Sequence, residues 1–279
     1  MRRSIWWRRM TSGNGCVMWS TATARSRRSV MATACGNTTS TMPPVTRPAV
    51  LTGLMRLTVN GCTRKGIGCG RSASICLNNR YDAFGRRTEK VCEQAGMRTT
   101  YLWDGDVPAE IREYRHNRLY SIRHLVFDGW QLLAQQVRFF TLNPENRHEL
   151  LAGSVQTQYA VCAPTGEPLA LFDAAGHRVW RQPPQSLYGL RLGVQGENAE
   201  LNPGLQFAGQ WLDEESGLVY NRFRYYSPVA GQYLTPDPLG LAGGLNHYSY
   251  VENPTGWIDP LGLKQDEIIR YMSKLVLQP

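Results

Sequence analysis

The first 81 residues of this 279-residue chain contain no aspartate or glutamate, although they carry 13 lysines and arginines. From residue 82 onward 18 basic residues face 22 acidic ones, so the formal net charge of +9 averages two unlike parts. Cysteine is just as uneven: Cys16, Cys35, Cys62, Cys69 and Cys76 come early, and only Cys92 and Cys162 follow. No run of eighteen apolar residues occurs, which excludes a membrane-spanning helix as a sequence expectation. The basic start MRRSIWWRRM leads into no apolar stretch, so no secretory signal is expected either. His148-Glu149 lacks the second histidine of HExxH, and the spacing of seven between Cys62, Cys69 and Cys76 fits no zinc pattern. No metal and no cofactor is therefore expected.

What the early segment does contain is arginine, serine, threonine and glycine. Clusters at Arg2-Arg3, Arg8-Arg9 and Arg25 to Arg28, interleaved with Trp6, Trp7 and Trp19, have the makings of phosphate contact with base stacking. The composition also matches an organelle transit peptide, and GIGCG at 66–70 is half of a glycine fingerprint with no clear strand before it. Each reading is outweighed by a plainer one. Without sustained period-2 or period-3.6 patterning, too little apolar surface is available to offset the entropy of ordering, and residues 1–78 are expected to be a disordered basic arm. A shifted reading frame is a second explanation for the missing acids. Nucleic acid is not the expected partner.

After Asn78 the texture changes, and 27 glycines, 16 prolines and 13 tyrosines point to a turn-rich β protein. NRYDAFGRRTEKV reads as strand, Asp-x-x-Gly turn, strand, with Gly85 free to take a positive φ. The same design recurs around Asp104-Gly105-Asp106, around Asp128-Gly129, and between Asp173 and Gly176. A single hairpin cannot bury its apolar face, so such units must pack side by side. The predicted fold class is mainly β: hairpin strips over 79–200, a compact core over 201–263 and a short tip over 264–279.

YDAFGRR resembles the tyrosine-aspartate repeat of the Rhs (rearrangement hotspot) family. The segment from Phe207 to Leu263, FAGQWLDEESGLVYNRFRYYSPVAGQYLTPDPLGLAGGLNHYSYVENPTGWIDPLGL, resembles the Rhs-associated core along almost its whole length. The resemblance spans roughly residues 79–263. It implies a closed β-shell ending in a plug, with a toxin inside that the core cuts free by an aspartic-protease-like reaction. It also implies a protein of bacteria, made in the cytoplasm and passed to the surface or secreted. Its partners would be a longer Rhs shell chain, a secretion-system component or an immunity protein. Two departures qualify the match: too few repeats for a shell, and Gly231-Gln232-Tyr233 where the family has Gly-Arg-Phe. Sixteen residues after Leu263 are too few for a toxin fold, so the chain reads as a truncated, degenerate remnant. Within them Asp266 and Glu267 suit a helix N-terminus and Ile268, Ile269, Met272, Leu275 and Val276 an amphipathic turn.

The chain writes DPLGL twice, setting Asp237 and Asp259 in matching local sequences. Asp-Pro is a common turn opener, and two similar turns would explain the pair. Two carboxylates brought together, however, cannot both ionise cheaply, and such a pair supplies an acid and a base in one place. The resemblance makes Asp237 and Asp259 the catalytic pair, Arg224 the cation beside them, and Leu263–Lys264 the bond that is cut. A non-catalytic alternative is a β-repeat module that binds surface glycan or protein through Tyr248 or Trp257. Tyr225, Tyr226, Tyr248 and Tyr250 alternate with polar residues and read as sheet-packing aromatics.

Overall fold

A computed structural model describes residues 73–194, 196, 198–263 and 266–267, with four strands within the first 61 residues; side chains are described from Leu77 to Leu263. The arm's arginine clusters, Cys62, Cys69, Cys76 and the 66–70 glycine run lie outside the residues with described side chains. So do Lys264 and the tip read as amphipathic, and with them the expectation of a disordered arm. The chain divides into two compact units, Met1–Thr99 and Thr100–Pro279.

In the first unit β1 (Trp7–Thr11), β2 (Val17–Thr21) and β3 (Met31–Ala34) form an antiparallel sheet in chain order. β4 (Met55–Gly61) pairs with β5 (Ala73–Tyr81), and β5 with β6 (Arg87–Cys92). The β5–β6 turn is the one legible in YDAFGR. Asp82 Oδ1 accepts the backbone N–H groups of Phe84 (2.9 Å) and Arg86 (2.8 Å), while Gly85 sits at φ 75°. A short polar side chain thus closes the turn, and the residue without a Cβ takes the left-handed position.

β7 (Met97–Asp104) straddles the division. The second unit continues with β8 (Val107–Arg115), β9 (Arg118–Asp128), β10 (Gln131–Leu142), β11 (Leu150–Cys162), β12 (Pro168–Phe172) and β13 (Arg178–Arg181). They form an antiparallel meander in chain order. Asp173 repeats the Asp82 turn, accepting N–H from Ala175 (2.9 Å) and His177 (2.8 Å). The mainly β fold is as expected, and no α-helix occurs among the described residues.

The face of this meander turned to the interior carries a buried polar row. Arg123 donates to Gln135 (2.6 Å), Gln135 donates to Gln158 (3.2 Å), and both Arg123 and Gln135 donate to the Leu201 carbonyl (3.1 and 2.7 Å). Arg123 also donates to the Glu200 carbonyl at 2.9 Å. The row ties the sheet to a single 3-10 turn, Ala199–Leu201, where the second half of the unit begins. Buried donors need such acceptors, since an unpaired polar group in the interior is costly.

From there four short strands follow: β14 (Trp211–Asp213), β15 (Leu218–Asn221), β16 (Arg224–Ser227) and β17 (Gln232–Tyr233), antiparallel in chain order. Phe207, Val219, Tyr226, Tyr233, Tyr250 and Val251 form their core, with Phe207 stacked on Tyr250 at 5.6 Å. Tyr225, Tyr226 and Tyr250 are buried as expected, whereas Tyr248 is exposed. β18 (Trp257–Ile258) pairs with β19 (Asp266–Glu267). Asp266 and Glu267, expected to open a helix, are instead strand, with Asp266 opposite Ile258 and Glu267 opposite Trp257.

Candidate active site

The short strands β15 to β17 hold three polar side chains in the interior. A tight turn joins β15 to β16, with Arg222 in the left-handed region at φ 51°. It places Asn221 and Arg224 opposite one another, and both are buried. Tyr233 ends β17, also fully buried, its ring beneath the Arg224 guanidinium at 3.7 Å. The chain then turns back through the first DPLGL, where Asp237 Oδ1 accepts the Leu239 N–H at 2.8 Å. In the second DPLGL, Asp259 Oδ1 accepts the Leu263 N–H at 2.9 Å, an Asp turn reaching two residues further. The turn reading of the repeated pentapeptide therefore holds: each aspartate shapes a turn.

The two turns also converge. Arg224 Nη2 lies 2.8 Å from Asp237 Oδ2 and 3.3 Å from Asp259 Oδ2, with side-chain exposures of 2, 3 and 1%. One guanidinium nitrogen therefore bridges two buried carboxylates, and a single positive charge faces two potential negative ones. The rest of the guanidinium holds backbone: Nε donates to the Gly262 carbonyl at 2.5 Å and Nη1 to the His247 carbonyl at 3.0 Å. Arg224 thus reads the carboxylates and the chain entering Leu263 at once, which the planar fork of an arginine allows and a lysine would not.

Desolvation raises the proton affinity of Asp259 above the ordinary carboxylate range. The Leu263 N–H, the Tyr233 hydroxyl and Arg224 oppose that rise, and the neighbouring Asp237 adds to it. The Tyr233 hydroxyl is pushed well up by burial and then by the charge of Asp259, so it stays protonated. Two glycines make the backbone approach possible. Gly262, at φ 69°, comes so near Asn221 that a Cβ would meet its carbonyl oxygen. At Gly243 a Cβ would collide with the Asp237 carboxylate and reach the Leu263 carbonyl oxygen. The Asp237 carboxylate and the Leu263 carbonyl oxygen therefore both border the space beside Gly243.

The structure brings Asp237, Asp259, Arg224 and Leu263 together, while Lys264 lies outside the described residues. Asn221, Tyr233 and Gly243 belong to the same arrangement and were not singled out as site residues from sequence. Only the hydroxyl of Tyr233, where the family pattern has phenylalanine, offered a signal. Trp257 packs against the core cluster, which leaves Tyr248 as the exposed aromatic of the pair considered for glycan contact. Among the described residues no cluster of histidine, cysteine, aspartate and glutamate suits a metal ion, and no helix is long and apolar enough to cross a membrane.

No family model matches the chain. Over 184 residues, 66% of its length, it is 46% identical to the probable deoxyribonuclease RhsA of Dickeya dadantii, of which it covers 12%. It is 35% identical over 209 residues to the toxin protein Tse5 of Pseudomonas aeruginosa, covering 66% of this chain and 15% of that protein. Among solved structures it is similar to the Photorhabdus luminescens Tc holotoxin pore with a substituted TccC3. The TM-score is 0.55 at 18% identity, over 93% of this chain and 13% of that one, a likeness of fold. The chain thus spans 12 and 15% of the length of these two curated relatives.

Proposed function

This chain belongs to the Rhs family, and from that premise we propose that residues 201–263 are a self-cleaving core that hydrolyses the Leu263–Lys264 bond within a toxin-carrying protein. The observation that carries this reading is the convergence of Asp237 and Asp259 on one nitrogen of Arg224, with the backbone of Gly262 and Leu263 held in the same site.

In the reaction one carboxylate is ionised and the other holds a proton, because two buried like charges cannot share so small a space. The ionised one takes a proton from a water molecule as its oxygen attacks the Leu263 carbonyl carbon. The protonated one gives its proton to the carbonyl oxygen. Collapse of the tetrahedral diol breaks the C–N bond, the amine of Lys264 takes up a proton, and Leu263 ends in a new carboxylate. Arg224 offsets the negative charge of the pair throughout, and general acid–base help of this kind contributes about 10²–10⁴-fold.

The role around this step is that of a carrier in competition between bacteria, with a toxin downstream of the cut. The chain would work with a longer Rhs shell chain, a secretion-system component and an immunity protein. It would be made in the cytoplasm of a bacterium and reach the surface or exterior. What supports this is the names of the relatives, a probable deoxyribonuclease and a toxin, over the shared two thirds of the chain.

Intact-mass measurement of the purified chain tests the cut. Wild type should lack the residues after Leu263, and Asp237→Asn and Asp259→Asn should each retain them. Cleavage that persists in both variants removes the two-carboxylate mechanism.

A further inference from the structure

The turn of the second DPLGL is closed by its own residues. The Asp259 carbonyl accepts the Gly262 N–H at 3.4 Å, and Asp259 Oδ1 accepts the Leu263 N–H at 2.9 Å. What docks this turn on the core is the β15–β16 hairpin. Asn221 Nδ2 donates to the Asp259 carbonyl (2.9 Å), the Phe223 N–H to the Leu261 carbonyl (3.2 Å) and Arg224 Nε to the Gly262 carbonyl (2.5 Å). Three donors of one hairpin thus take three backbone carbonyls ahead of Leu263. Gly262, where a Cβ would meet the Asn221 carbonyl oxygen, lets the two backbones come this close.

A carbonyl only accepts, so the nitrogen end of the Asn221 amide must face Asp259. The same nitrogen lies 2.7 Å from the Tyr233 hydroxyl oxygen, and that hydroxyl lies 2.8 Å from Asp259 Oδ2. Asn221 therefore reaches Asp259 at both ends, its main chain directly and its carboxylate through Tyr233. The amide oxygen of Asn221 is buried without a partner among the described residues, so the polar contacts that hold this side chain are those of its nitrogen. Of the three docking donors, Phe223 uses its main chain, and Arg224 also faces both carboxylates. Asn221 is the one of the three whose docking can be removed by substitution without touching charge.

Resting on the self-cleavage reading, we propose that Asn221 is a positioning residue for the cut, docking the Asp259–Leu263 turn on the β15–β16 hairpin. Its amide moves no proton, and its role is the same whichever carboxylate is ionised. Without the amide the turn keeps its internal bonds and stays a turn, but it is free to shift on the hairpin. Asp259 is itself part of that turn. A shift therefore moves one reacting carboxylate and the bond to be cut together, relative to Asp237 and Arg224, and small displacements of reacting groups weigh heavily on rate.

The test follows the rate of cleavage by intact mass after full-length protein is refolded from urea. Asn221→Ala should slow the cut about 10²-fold in folded protein. Asn221→Ser, gentler on the fold, should be slowed as well, because one hydroxyl hydrogen cannot serve two acceptors. Tyr233→Phe keeps the ring and the Asn221 bond to the Asp259 carbonyl, so its loss should be smaller, about tenfold. A wild-type rate in Asn221→Ala or Asn221→Ser, or Tyr233→Phe as the slowest of the three, overturns the proposal. A second measurement needs no turnover and separates docking from general stability. In the non-cleaving Asp237→Asn chain, adding Asn221→Ala or Asn221→Ser should speed hydrogen exchange at the Phe223 and Leu263 amides about tenfold more than at the amides of β14. Uniform acceleration, or none, overturns the proposal too. If wild type does not cleave, or the Asp237→Asn and Asp259→Asn variants cleave like it, the self-cleavage reading fails and this inference with it. Wild-type cleavage that the Asn221 substitutions leave unchanged removes this inference alone.

Discussion

Gly243 does at one position what a side chain could not. Its φ lies outside the left-handed region, so an alanine is conformationally acceptable there. A methyl group would nevertheless press on the Asp237 carboxylate and the Leu263 carbonyl oxygen together. Displacements near 1 Å at reacting groups cost about 10²-fold in rate. Gly243→Ala should therefore slow cleavage by about that factor while the urea midpoint barely moves. Gly244→Ala is the contrast: at φ 138° it is strained, but its Cβ would meet nothing within 4 Å, so cleavage should survive a modest loss of stability. Equal cleavage in wild type and Gly243→Ala, read by intact mass, would show that the carbonyl is not held where the mechanism needs it. At this scale the sequence was partly legible. Asp237 and Asp259 announced themselves through a repeated pentapeptide, and Arg224 through the family pattern. Asn221 and Gly243 carry no local mark, and Tyr233 only its hydroxyl where the family pattern has phenylalanine, because their roles arise only where β15, β17 and the first DPLGL loop meet.

Among the elements, the hairpin turns divide into those built on an aspartate with a glycine and those built without either. The first kind was readable, since Asp82 with Gly85 and Asp173 with Gly176 combine an acceptor with a left-handed position. The β8–β9 turn was not, because His116 and Asn117 adopt φ of 49° and 62° without a glycine to mark them. Arg222 is the most consequential of the second kind, since its turn aims Asn221 and Arg224. It pairs with Asp106 at 3.4 Å and lies over the rings of Trp103 and Phe223, so the repeat hairpin braces the turn of the core. A left-handed non-glycine residue costs about 1–2 kcal/mol. Arg222→Ala keeps that strain and loses the brace, whereas Arg222→Gly loses the brace and sheds the strain. Urea unfolding should rank Gly above Ala by about 1 kcal/mol; the reverse order would mean that the turn is not strained. The aspartate turns give a pH prediction. Burial raises Asp82, but the backbone N–H of Arg86, its guanidinium and the Phe84 N–H together hold it below its ordinary 3.8. A carboxylate lowered in the folded state contributes stability above its unfolded value and loses it as pH falls through the folded one. Unfolding midpoints should therefore drop more steeply between about pH 5 and pH 3 in wild type than in Asp82→Asn. Removal of the acceptor in Asp82→Ala should cost about 1 kcal/mol near neutrality.

Over the whole molecule, the proposed cut falls between two paired strands. β18 precedes Leu263 and β19 follows it, joined through Trp257 opposite Glu267 and Ile258 opposite Asp266. Before cleavage the connecting chain makes this pairing nearly intramolecular, and loop closure over so few residues costs little. After cleavage a two-residue ladder must hold two separate chains, which is far below what keeps strands together in water. Charge acts in the same direction. Hydrolysis there would leave a new carboxylate on Leu263 beside Asp237 and Asp259, with Arg224 the cation the two aspartates already share. The repulsion opposes resealing of the bond, and it falls on the segment that would have to stay docked for β19 to remain paired. The piece beginning at Lys264 should therefore separate under native conditions. Native and denaturing masses of the cleaved protein should agree, both ending at Leu263. A native mass that still includes the piece would mean that residues 264–279 are held by more than the β18–β19 ladder.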